Sequence, residues 1–258
     1  MSDQNSVEQL AGAWQKHQAA TRHIDTFEDR LNKWLRDKAY HLVRDPNTSA
    51  LQRAMLLRAE PIDADLCCLA GDAVHNLRSA LDHLAYSVAC VKNVATELLG
   101  RVAFTARENS NAFTKEIAKE KVTVLGEDWL RFISDMQPYL NGNGSELYTV
   151  CRLDNIDKHR NLLLMATVGD KYRLDITGTK MSMTVLERGL PLREGVRLAD
   201  YEPHIYTQVR VSLNESDCGL DPDSWVHEAL RSLAVNVKKV LVSAELQVHA
   251  LFTRPSNT

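Results

Sequence analysis

LCCLAGDAVHNLRSALDHLAYSVACV, residues 66–91, decides how the rest of the chain is read. Helical residues advance about 100° each. With Asp72 at zero, Asn76, Ser79, His83 and Tyr86 fall within roughly 40° of it, and His75 and Asp82 lie to one side. The opposite arc carries Leu66, Leu69, Ala73, Val74, Leu77, Ala80, Leu81, Leu84 and Val88. One arc requires a core. The other is a ladder of carboxylate, imidazole, amide and hydroxyl groups with no Lys and no Glu. Such short groups are mediocre helix formers and cannot snorkel into water. The pattern therefore predicts a buried, mutually paired polar stripe on a central helix.

A second polar cluster, Asn155-Ile156-Asp157-Lys158-His159-Arg160, closes a helix that starts at Ser145. It is the natural partner for the stripe. Around these two segments the chain reads as a helical bundle. Residues 7–35 form a long first helix through Leu10, Trp14, His17, Ile24, Phe27, Leu31 and Trp34. Asp221-Pro222-Asp223-Ser224 opens a long last helix with Trp225, Leu230, Leu233, Val237, Leu241 and Val248 on its apolar face.

Strand patterns are added to the helices. The turn cluster Asp45-Pro46-Asn47-Thr48-Ser49 predicts a hairpin near 39–59. Residues 172–176, 181–185 and 205–211 alternate with period two. The expected class is α+β: a helical bundle with long first, central and last helices, plus an antiparallel sheet from the hairpin and from strands near 162–213. The expected organisation is one domain over 1–258, with the bundle in 1–160 and 221–253 and a β-rich insertion at 161–214.

The chain has 258 residues, is 44 % hydrophobic and 25 % charged, and carries a net charge of −3. A global polycation for wrapping nucleic acid is excluded, although a local basic groove is not. The cysteine count is odd, at five, and no CxxC pair is present, which fits reduced thiols and a cytoplasmic chain. No signal pattern and no apolar run of about 20 residues is present, so no membrane partner is expected.

At HNLRSALDHLAY (75–86) and NIDKHR (155–160) the chain resembles a group of uncharacterised bacterial proteins that pair an HNLRSALDHL-like helix with a later N-x-DKHR segment. The resemblance spans about residues 40–170 and implies that the two segments belong together. More remotely, RSALDH (78–83) resembles the R-x4-H pattern of the HEPN superfamily of small helical bundles. That resemblance implies a metal-independent ribonuclease or nucleotide-transfer protein, usually a homodimer with its site at the seam. It carries over Arg78 and His83 as catalytic residues. Ser79 stands where those ribonucleases often have Asn, His or Asp. Arg78 and His83 also point about 140° apart on a regular helix.

Three readings follow. In the first, His83 is general acid or base at a ribose 2′-OH and Arg78 binds phosphate charge. Asp72, His75, Asn76, Ser79, Asp82, Asn155, Asp157, Lys158, His159 and Arg160 support them, and RNA or a nucleotide is the partner. In the second, the chain is a non-enzymatic dimeric interaction protein whose polar clusters are structural. In the third, it is a metal-dependent hydrolase using Asp82 or His83 with donors from 154–159. His75 and His83 lie about 12 Å apart along a helix, too far to share one ion. No HExxH or similar spacing is present, so neither metal nor cofactor is expected.

Overall fold

The computed structural model describes residues 3–37, 40–44, 55–59, 62–160, 162, 164–177, 180–187, 190–191, 197–198, 205–213, 215, 218–220, 224–247 and 251. Helix α1 (Asp3–Asp37) is followed by strands β1 (Tyr40–Arg44) and β2 (Met55–Ala59), then by the central helix α2 (Ala64–Val91). Four short helices follow: α3 (Thr96–Leu99), α4 (Ser110–Ile117), α5 (Glu120–Thr123) and α6 (Glu127–Met136). Helix α7 (Ser145–Asp157) leads into β3 (Leu164–Thr177), β4 (Lys180–Glu187), β5 (Leu190–Pro191), β6 (Arg197–Leu198) and β7 (Ile205–Leu213). Helix α8 (Val226–Leu246) closes the bundle.

Asp63 caps α2 by accepting from the Asp65 N–H at 3.0 Å. Its apolar arc is the core: Leu66, Ala73, Val74, Leu77, Ala80, Leu81, Leu84 and Val88 are all fully buried. Leu10, Ile24, Phe27 and Leu31 of α1 pack into the same cluster, as do Leu230, Leu233, Val237 and Leu241 of α8. Two ties reinforce this packing. Arg231 of α8 donates to Glu28 and Asp25 of α1, and Trp14 Nε1 donates to Glu245 at 2.6 Å. α1, α7 and α8 thus surround α2.

The expected α+β class is corrected. Where side chains are described the chain is mostly helical, with a single short strand, 211–213, and no sheet. The backbone pairing of the strands also divides into two separate sets, β1-β2-β6 and β3 with β4, β5 and β7, so of the later strands only β6 joins the hairpin and the expected one sheet is not formed. Period-two alternation reports a local preference for extended backbone but does not name the pairing partner. The helices close their core on one another. Val211 and Leu213 of β7 join that core, and exposed large apolar side chains among the described residues are confined to Tyr86, Val235, Val242 and Leu246.

Among the described residues no helix is long and apolar enough to cross a membrane. The five cysteines are free thiols; Cys151 and Cys218 are buried.

Candidate functional site

α2 and α7 run antiparallel with close contact along their length. Gly71 faces Asp157, His75 faces Asp154, and Arg78 faces Cys151. The α2 positions lie three to four residues apart on one sector, as do those of α7, so helical spacing alone aligns the two rows.

Arg78 is committed to protein partners. Its Nε donates to Asp82 Oδ2 at 2.9 Å, and a terminal nitrogen reaches Asp82 Oδ1 at 2.9 Å. It also donates to the Phe104 carbonyl at 3.0 Å and to Cys151 Sγ. Asp82 in turn accepts from the Phe104 N–H at 2.8 Å. Phe104 is buried edge-on against Trp129, with ring centroids 6.4 Å apart. The Arg78–Asp82 pair therefore fastens the segment around Phe104 to α2. Burial opposes the Arg78 charge, but Cys151 and Asp82 outweigh it and raise its proton affinity above the ordinary arginine value. Burial pushes the Cys151 thiol up, against the pull of Arg78, which disfavours the thiolate.

One turn towards the N-terminus of α2, His75 Nδ1 lies 2.9 Å from Asp154 Oδ1. Asp154 is 1 % exposed, whereas the His75 side chain is 52 % exposed. Lys158 holds the other Asp154 oxygen at 2.6 Å. Burial, then Asp154 and Asp72, raise the proton affinity of Asp157, which accepts a backbone hydrogen bond from Leu162.

A cavity of about 590 Å³ opens beside these rows. Arg78, Asp82, Phe104, Arg107, Glu108, Tyr148, Arg152, Asn155 and Lys158 line it. Four cations thus face two carboxylates, a local excess in a chain whose net charge is −3. Arg152 is exposed and makes no hydrogen bond or salt bridge among the described residues. Arg107 is positioned by Glu116, which accepts from Nε at 3.2 Å and pairs with a terminal nitrogen at 2.8 Å. Lys119 and Lys121 reach the same carboxylate at 2.7 Å each. Burial alone would raise the Glu116 pKa, but Lys119, Lys121 and Arg107 bring it down to about 2.

No family model, curated protein or solved structure matches this chain.

The structure brings together Arg78, Asp82, Asn155 and Lys158 at the cavity, with His75 alongside. It does not bring Arg78 and His83 together within one chain. His83 is exposed and lies over α1, where a Cβ on Gly12 would come within 2.8 Å of its Nδ1. The expectation of a stripe buried wholly against 155–160 is also corrected. Asp72, His83 and Tyr86 are exposed, Ser79 is half-buried, and Asn76 donates to the Asp72 carbonyl of its own helix at 2.8 Å. Beside the stripe, His75 and Arg78 meet α7 at Asp154 and Cys151, while Asp82 turns to Arg78 and the Phe104 N–H. His159 is exposed beyond α7, and Arg160 pairs with Glu215 at 2.8 Å. Among the described residues no group of three or more His, Cys, Asp and Glu could hold a metal ion. The donors named for a hydrolase site are therefore not assembled there.

Sequence reasoning left Cys151 and Arg152 out of the site and named Asp154 only among donors for a metal. The signal for Cys151 and Asp154 was present, since 151, 154, 155 and 158 follow helical spacing. Arg107 and Glu116 carried no such signal, because they meet across a turn and a short helix.

Proposed function

We propose that this chain binds RNA or a nucleotide through its phosphates in the groove between α2, α7 and the segment around Phe104. There it acts as a metal-independent ribonuclease or nucleotide-transfer protein. The observation that carries this reading is the cavity in which Arg107, Arg152 and Lys158 stand above Arg78. Guanidinium groups bind phosphate oxygens in pairs, and a cleft focuses the field of a few cations on its contents. The remote HEPN resemblance supports the reaction class. The pair it carries over, Arg78 and His83, would have to act across two copies of the chain, which keeps the homodimer part of the proposal.

The test is binding of a labelled oligoribonucleotide, read by fluorescence anisotropy over a range of salt. Arg152→Ala weakens binding and lowers the salt slope by about 1. Wild-type protein with no salt-dependent binding overturns the reading.

A second reading is favoured by a specific observation. Arg78, Asp82 and Asp154 are all engaged by protein groups, as expected of an interaction protein whose polar clusters fix its packing. It calls for a folded protein that binds no RNA or nucleotide and responds to Arg78 or Asp82 substitution only in stability.

A further inference from the structure

The sequence pattern puts the imidazole of the site at His83, which lies over α1. The imidazole that does meet α7 is His75. A carboxylate can only accept, so the short contact with Asp154 Oδ1 requires Nδ1 of His75 to carry the proton. In the neutral ring this leaves the lone pair on Nε2. The Asp154 side chain is 1 % exposed and the His75 side chain 52 % exposed. A buried carboxylate thus holds a half-exposed imidazole, the arrangement that orients a general base.

Position ties the pair to the groove. His75 shares its α2 sector with Arg78 and Asp82, which line the cavity. Asp154 sits on α7 between the cavity-lining Cys151 and Lys158, and its second oxygen holds Lys158. The charged groups around the ring are Asp154, Asp157 and Lys158 from α7 and Asp72 from α2. His75 and Asp154 lie beside the residues that line the cavity, and Asp154 contacts both His75 and the cavity-lining Lys158.

We infer that His75, oriented by Asp154, is the proton acceptor for phosphodiester cleavage in this groove; the inference rests on the RNA-binding reading above. Nε2 takes the proton of a ribose 2′-OH, and O2′ forms a bond to phosphorus. The P–O5′ bond breaks, the departing oxygen takes a proton from water, and the hydroxide so formed takes back the proton on Nε2, which restores the neutral imidazole. The products are a 2′,3′-cyclic phosphate end and a 5′-hydroxyl end, and nothing is oxidised or reduced. Asp154 is a positioning residue.

The experiment compares wild type, His75→Ala and His75→Gln in EDTA, with binding of a labelled oligoribonucleotide and its cleavage measured separately. Glutamine keeps an N–H for Asp154 but cannot take up a proton. The inference expects both variants to bind within about threefold of wild type while cleavage falls about 100-fold or more. Free imidazole restores cleavage to His75→Ala. Cleavage by His75→Gln close to the wild-type rate overturns the assignment. Wild type that binds RNA without cleaving it overturns the assignment and leaves the binding reading standing. Wild type that does not bind overturns both. If His75→Ala melts early, His75→Gln decides.

Discussion

Asp157 lies directly over the Cα of Gly71, and its carboxylate occupies the space a methyl group would need. This contact sets how closely α7 approaches the central helix, and it explains a glycine in a helix interior where alanine would be favoured by about 1 kcal/mol. Gly71→Ala should therefore destabilise the fold by about 1–3 kcal/mol through overpacking. In an Asp157→Ala background the same substitution should be neutral or stabilising. Denaturant melts of the two single variants and the double variant read this as non-additivity. Additive effects would show that the contact does not set the approach.

Asp157 also gives a pH dependence. Burial, then Asp154 and Asp72, raise its folded pKa above the ordinary carboxylate value. A raised pKa means that the folded state holds the proton more tightly than the unfolded state. This contribution is fully present below the unfolded pKa and is lost as pH rises through the folded one. At neutral pH Asp157 therefore costs stability. Asp157→Asn should raise Tm at pH 7, with a smaller gain near pH 3. An equal gain at both values would count against the like-charge account.

Glu116 has the opposite sign. Its pKa is held at about 2 by Lys119, Lys121 and Arg107. Its stabilisation is present above the ordinary glutamate value and is lost as pH falls through the folded one. The loss is expected between roughly pH 4.5 and 2 and is worth on the order of 2–3 kcal/mol. Glu116→Gln should cost a similar amount at pH 7 and should flatten the acid limb. Because Glu116 positions Arg107, the variant should also weaken oligonucleotide binding. An unchanged acid transition would refute the assignment.

Arg78→Lys tests the fastening of the Phe104 segment. An ammonium cannot serve the two Asp82 oxygens and the Phe104 carbonyl together. The expected loss is about 1–3 kcal/mol, with slower quenching of amide exchange at 104 replaced by fast exchange. A variant as stable as wild type would mean that Arg78 is free to serve a ligand.

His83→Ala separates the family pattern from the geometry. His83 is exposed on the side of α1, so its loss should change Tm by less than about 2 °C and should leave oligonucleotide binding intact. If cleavage nevertheless disappears, the imidazole acts from a second copy of the chain. Analytical ultracentrifugation with the cleavage assay settles which of these holds.

The helical bundle was legible in the sequence because helical periodicity is local. The same arithmetic that placed Leu66, Leu77 and Val88 on one arc of α2 describes their burial. The pairing of the 66–91 and 145–160 segments was legible for the same reason, since each concentrates short polar groups that need partners. The hairpin of β1 and β2 was legible from its turn cluster, but the pairing of the later strands was not, because alternation identifies extended backbone and leaves its neighbour open.

The choice among the polar side chains was made only by tertiary structure. Periodicity centres the stripe on Asp72, leaves His75 and Asp82 at its edge and puts Arg78 beyond it. The position of α7 makes that edge the contact face and leaves His83 to α1. A helix has no intrinsic front, so a rotation of some tens of degrees in how its neighbours pack exchanges one histidine for the other. Likewise nothing local joins Arg107 to Glu116, or Asp82 to the Phe104 N–H. Those bonds exist because the segment after α2 folds back onto it, and they set the walls of the cavity.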